Sequence, residues 1–99
     1  MKELLLNINK AFESKARLGI MSVLMVNEQL DFNSLKELLD LTDGNLASHL
    51  KALEEGEYIA VNKQFVGRKP NTTYRATDIG KKAFEAHLHA LEMLIKGNR

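Results

Sequence analysis

Leu41-Thr42-Asp43-Gly44-Asn45-Leu46-Ala47-Ser48-His49-Leu50-Lys51-Ala52-Leu53 is the stretch that decides how this chain folds. Advancing about 100° per residue from Leu46 brings Leu50 and Leu53 within roughly 40° of it and sets Ser48 nearly opposite. The spacing predicts an amphipathic helix with a narrow apolar stripe, capped at its start by the Thr42 hydroxyl. Gly44, Asn45, Ser48, Lys51 and Ala52 then face outward, with His49 on the flank. A helix that meets only water there usually carries long Glu and Lys side chains. A face of Gly, Asn, Ser and Ala instead allows another surface to come close. Duplex DNA is the first candidate for that surface.

Working upstream, Leu35, Leu38 and Leu39 mark a short helix capped by Asn33 or Ser34, with Asp40 to Thr42 as the break. Two short helices across a tight turn form a helix-turn-helix, here at about residues 33–56. Asp31-Phe32-Asn33 leaves room only for a brief strand or turn. Ser14 is placed to cap a helix running to about Asn27. Ala16, Ile20, Val23 and Leu24 form one of its stripes and Leu18, Met21 and Met25 another, so it is expected at the centre of the core. Leu4, Leu5, Ile8 and Phe12 predict a first amphipathic helix over residues 3–13.

Downstream, Gly56 can close the central helix by taking the left-handed conformation. From Tyr58 the period becomes two, with Ile59 and Val61 on one side and Ala60 and Asn62 on the other. Gly67-Arg68-Lys69-Pro70-Asn71 reads as a turn and Thr72-Thr73-Tyr74-Arg75-Ala76 as the returning strand, a hairpin at about 58–76. Thr77 caps a final helix to about residue 96. Ile79, Ala83, Ala86 and Ala90 form one stripe on it; Phe84, Leu88, Leu91 and Ile95 form a second. One stripe can pack on its own domain, leaving the other for a partner. Leu4, Leu5, Ile8, Phe84, Leu88, Leu91 and Ile95 are therefore the expected dimerisation residues. The fold class is mainly α with a β-hairpin (α+β), a three-helix core with a wing and flanking terminal helices.

Ninety-nine residues, 44% of them hydrophobic, suit one domain with a modest core. The absence of Cys excludes disulfides and thiolate chemistry. The apolar runs are too short to span a membrane, and Met1-Lys2-Glu3 does not open a signal peptide, so a cytoplasmic protein is expected. On that expectation the sequon Asn71-Thr72-Thr73 has no chemical consequence. The net charge of +1 does not announce a nucleic-acid binder, but its distribution does. Residues 61–77 hold Lys63, Arg68, Lys69 and Arg75 and no Asp or Glu, while the rest of the chain has more acids than bases. A helix-turn-helix can be mere leucine packing, and a basic hairpin can be mere edge protection. Their succession is far more specific: a helix for the major groove followed by a loop for a neighbouring phosphate or minor groove.

Leu41 to Leu46, His49-Leu50, Leu53-Glu54 and the run Phe65-Val66-Gly67-Arg68-Lys69-Pro70-Asn71-Thr72-Thr73-Tyr74-Arg75 resemble the signature of small bacterial and archaeal winged-helix transcriptional regulators related to the MarR and ArsR groups. The resemblance runs from about Lys15 to Ala90, and its Gly-Arg-Lys-Pro wing is the most specific part. It implies a dimeric DNA-binding regulator, usually a repressor, with a recognition helix at 42–55 and a wing at 63–75. Carried over by position, Asn45 and Ser48 suit base edges. Thr42 and the amides of Asp43 and Gly44 suit a phosphate, which the Asp43 charge opposes. Lys51, Arg68 and Lys69 would contact phosphates, and Lys63 and Arg75 complete the basic set. The sequence departs from the family pattern at Gly56-Glu57-Tyr58, where a Gly usually stands just before the aromatic. Larger relatives also hold an effector pocket built with extra helices, for which this chain leaves little room.

His49 is open to three readings: a hydrogen-bonded residue at the core edge, a DNA contact or a metal ligand. A metal site would recruit His87 and His89, but residues two apart on a helix point about 200° apart and cannot chelate one ion together. No metal or cofactor is expected. Asp43, Ser48 and His49 are types used in acyl transfer, yet one short helix cannot give them the geometry of nucleophile, base and orienting acid, so no enzyme is expected. The expected partners are double-stranded DNA with a pseudo-palindromic operator and a second copy of the chain. The alternatives are a winged-helix protein-interaction module and a ligand- or metal-responsive sensor of the same fold.

Overall fold

In the computed structural model, which describes residues 2–97, the Ser14 hydroxyl accepts the Arg17 N–H at 3.2 Å and starts the helix α2 (Lys15–Val26). Its Ile20, Met21 and Leu24 are buried, which makes it the central core helix that its two apolar stripes predict. The helix expected over residues 3–13 is instead divided into α1 (Lys2–Leu6) and a 3₁₀ turn at Lys10–Phe12. The physical reason lies at Asn9, whose side chain accepts the Ala11 N–H at 2.9 Å and starts a new turn rather than continuing the old one. The result drives Phe12 into the core, where its ring meets Tyr58, Phe84 and His87 at centroid distances of 4.9, 5.3 and 5.4 Å.

A two-residue strand β1 (Leu30–Asp31) leads directly into α3 (Phe32–Leu39). The cap is Asp31 rather than Asn33 or Ser34. Its carboxylate accepts the Ser34 N–H at 2.7 Å, and that bond holds the carboxyl below its ordinary range. Asp40 turns the chain in the left-handed conformation, φ 52°, and Thr42 then caps α4 (Asp43–Glu55). Helix α4 closes in a Schellman arrangement: the Glu57 N–H bonds the Glu54 carbonyl at 2.9 Å and the Tyr58 N–H bonds the Leu53 carbonyl at 3.0 Å. The left-handed residue of this closure is Glu57, φ 66°, and not Gly56, φ −80°, as the sequence reading expects.

The hairpin consists of β2 (Ile59–Val66) and β3 (Lys69–Ala76), paired from Ile59 with Ala76 to Val66 with Lys69. Its loop is therefore only Gly67-Arg68, shorter than the five-residue turn read from composition. Gly67 takes φ 66°, so two residues suffice, and Lys69, Pro70 and Asn71 already belong to the strand. β1 pairs antiparallel with the far side of β3, giving the order β1-β3-β2.

Thr77 caps α5 (Asp78–Lys96) and donates its hydroxyl to the Glu57 and Tyr58 carbonyls, tying the start of α5 to the exit of α4. Gly80 makes that junction possible, since a Cβ there would stand 1.9 Å from the Tyr58 carbonyl oxygen. The buried stripe of α5 is Gly80, Phe84, His87 and Ala90. This corrects the assignment of Phe84 to a dimer surface: at 1% exposure its ring belongs to the chain's own core. His87 takes a core position because its Nδ1 accepts the Asn9 N–H at 2.9 Å, which satisfies a ring that is otherwise surrounded by Phe12 and Phe84. Among the described residues, no helix is long and apolar enough to cross a membrane.

Candidate nucleic-acid interface

Leu46, Leu50 and Leu53 are buried, and they anchor α4 so that its other face is presented outward. Gly44, Asn45, Ser48 and Lys51 are all exposed on that face, as the helical spacing predicts. Thr42 Oγ1 accepts the Asn45 N–H at 3.2 Å, so its capping role is real, and the side chain lies exposed beside the first turn. Nothing in the chain lies within 4 Å of where a Gly44 Cβ would stand. The fold itself therefore has no need of glycine there, and the space it leaves is open to solvent. Asp43 does not stand alone: the Lys36 ammonium of α3 sits 2.8 Å from its carboxylate and offsets the charge at the helix start. Sequence reasoning missed Lys36, because a pair between two helices has no fixed spacing.

His49 is half-buried, and its Nδ1 accepts the Arg17 Nε–H at 3.1 Å; the same guanidinium donates to the Ala11 carbonyl at 3.4 Å. Its position is that of a hydrogen-bonded residue at the core edge, linking α4 to α2. Among the described residues no group of three or more His, Cys, Asp or Glu could hold a metal ion.

The four basic residues of the hairpin are exposed but are not all together. Lys63 faces α4 and borders, with Lys51, a shallow groove between the helix and β2 whose floor includes Val61 and Tyr74. Burial, and then the nearby Glu54 carboxylate, push the Tyr74 phenol up from its ordinary value. Arg68 and Lys69 stand at the hairpin tip. Arg75 pairs with Ala60 near the base, on the opposite sheet face from Lys63, and so lies apart from the groove. The tip also bears two exposed apolar side chains, Phe65 and Val66, to which the sequence reading gave no role of their own. Period two is the signal that could have found Phe65, since that residue continues the Ile59, Val61, Lys63 row beyond the reach of the core.

Helix α1 lies against α5. Leu5, Leu88 and Ile95 are exposed there, and Leu4, Ile8 and Leu91 half-buried. Between this region and the start of α2 lies an open apolar recess of about 580 Å³, lined in part by Ile8, Phe12, Leu18, His87 and Leu91.

The profile of the winged helix DNA-binding domain family matches residues 16–95. An uncharacterized protein of Methanocaldococcus jannaschii is 38% identical over 87 residues, which cover 88% of this chain and 95% of that protein. The structure of a transcriptional regulator homologue from Pyrococcus horikoshii superposes with a TM-score of 0.88 at 32% identity, covering 98% of this chain and 97% of that one. An ArsR family transcriptional regulator gives a TM-score of 0.63 at 23% identity over 98% of this chain and 95% of its own, a likeness of fold. With the helix-turn-helix, the hairpin and all but the last residue of the terminal helix inside the matched region, the chain belongs to the winged helix DNA-binding domain family.

Proposed function

We propose that this protein is a sequence-specific, double-stranded DNA-binding transcriptional regulator that acts as a homodimer and represses by occluding a promoter. The observation that carries the reading is the exposed, short-chained face of α4, with Gly44, Asn45 and Ser48, beside a hairpin that has bases and no acids. Asn45 and Ser48 read base edges in the major groove, where a short amide or hydroxyl reaches a base without holding the helix away. Thr42 and the Asp43 and Gly44 amides take a phosphate at the helix start. Lys51, Lys63, Arg68 and Lys69 contact neighbouring phosphates and supply affinity and register. Arg75, on the other face of the hairpin, serves a more distant phosphate or none.

The dimer forms through the apolar surfaces of α1 and α5, with Leu5, Leu88 and Ile95 contributing side chains that a lone chain leaves in water. A two-fold axis there sets two copies of α4 against successive major grooves roughly 34 Å apart, so the operator is pseudo-palindromic. Fluorescence anisotropy with specific and random duplexes tests the reading. Arg68→Ala with Lys69→Ala should weaken binding to every sequence and lower the log-log salt slope by roughly 2 per chain. Asn45→Ala should instead relax sequence choice, at about 1–3 kcal/mol for the lost base contact. Unchanged binding in the wing double variant contradicts the proposal. A well-folded wild type without salt-sensitive affinity favours a protein-interaction module.

A further inference from the structure

The wing carries an apolar end that the fold does not use. Phe65 is 74% exposed and is paired across the hairpin with Pro70, itself exposed, while Val66, also exposed, points to the opposite sheet face at the two-residue loop. Among the described residues the aromatic contacts gather around Phe12, and none includes Phe65. Period two sets Phe65 on the same sheet face as Lys63, the face turned toward α4. Arg68 and Lys69 follow immediately, and no acid lies between residues 61 and 77. An apolar side chain with Lys63 on its own sheet face and Arg68 in the adjoining loop matches a target that is anionic at its edge and apolar within.

From these positions we infer that Phe65 is a DNA-reading residue, an apolar wedge that enters the minor groove beside the half-site and loosens a base step there. The inference rests on the proposed DNA-binding reading and commits to duplex DNA as the occupant. Reach argues for it: the strand from Val61 to Val66 extends roughly 17 Å, about half the 34 Å repeat of the duplex. With α4 in a major groove, the tip of the hairpin therefore arrives at the adjacent minor groove. That groove is about 6 Å wide, and apolar side chains enter it where a step unstacks easily, above all at pyrimidine–purine steps. Lys63, on the same sheet face, and Arg68, in the loop, then lie against the phosphates that border the groove. Phe65 thus adds choice at flanking positions that α4 does not touch.

The test uses the full chain and a duplex enriched by binding from a random pool, with 2-aminopurine placed in turn at steps flanking the half-site. Wild type should brighten the probe at one flanking step, and replacing a TA there by a stiff A-tract should weaken binding. Phe65→Ala should lose the brightening and on the order of tenfold in affinity, with the salt slope and the thermal midpoint unchanged. Phe65→Leu should restore part of both. Equal affinity and equal brightening in Phe65→Ala overturn this inference while leaving DNA binding by α4 intact. A loss of salt slope equal to that of the Arg68 and Lys69 variant also overturns it, by making the effect one of charge. A wild type that enriches no duplex, or that binds anionic lipid vesicles through Phe65 in preference to DNA, overturns both readings.

Discussion

Gly44 and Glu57 show how single residues depart from what the fold alone would select. Glycine in a helix costs about 0.5–1 kcal/mol relative to alanine, and a Gly44 Cβ would meet nothing in the chain. Gly44→Ala should therefore raise thermal stability by about that amount and at the same time weaken duplex binding, because a methyl group would stand between the helix-start amides and a phosphate. A stabilised variant with undiminished affinity would show that no phosphate comes close there. Glu57 is the converse case, a residue with a Cβ held at φ 66° in the helix closure, where glycine carries no steric penalty. Its charge also lies at the negative end of the α4 dipole. Glu57→Gly should stabilise the protein by about 1 kcal/mol, read from chemical unfolding. No change, or a loss, would mean that the Glu57 side chain has a compensating role. Glu57 thus carries the left-handed turn at the position just before the aromatic, where the resemblance leads one to expect Gly.

At the scale of elements, the N-terminal segment is held to α5 by the Asn9–His87 hydrogen bond. His87 Nδ1 accepts there, so the ring is neutral with its proton on Nε2. Burial lowers its pKa below the ordinary 6.5, with the Glu13 carboxylate opposing the shift. The unfolded chain therefore takes up this proton at a higher pH than the folded one. The contribution is fully present above about pH 6.5 and is lost as pH falls through the lower folded value. Thermal unfolding followed between pH 7 and pH 5 should show this acid loss, and His87→Asn, whose amide oxygen can still accept the Asn9 N–H, should flatten it. An unchanged acid slope in that variant would place the effect elsewhere. Most elements were legible in the sequence because their signals are local: the caps at Ser14, Thr42 and Thr77, and the leucine stripe of α4. What escaped depends on distant partners. Asn9 breaks the first helix, His87 joins the core only because Asn9 reaches it, and the Lys36–Asp43 pair joins two helices with no sequence spacing to reveal it. The two stripes read on α5 were mixed for the same reason, since a histidine counted as polar hid the true buried row of Gly80, Phe84, His87 and Ala90.

For the whole molecule, the described chain measures 56 × 25 × 21 Å; α4 borders the hairpin in one surface, and α1 packs on α5 in another that bears exposed Leu5, Leu88 and Ile95. On the proposed reading the two faces divide the work, one for DNA and one for a second copy. Leu88→Glu with Ile95→Glu should yield a folded monomer by light scattering, since Ile95 is 86% exposed and neither side chain belongs to the core. Phe84→Ala should instead cost about 3–5 kcal/mol and compromise folding itself. A double variant that remains dimeric would move the interface away from α5. The division also accounts for a net charge of +1 in a DNA-binding protein, because the wing concentrates its bases while the acids lie elsewhere. The most direct test of sequence-specific binding is selection of bound duplexes from a random pool at physiological salt. Sequence-specific binding by a dimer should enrich a pseudo-palindrome whose half-sites lie one helical turn apart, centre to centre. A pool that stays random after repeated rounds, although the protein is folded and dimeric, would contradict it.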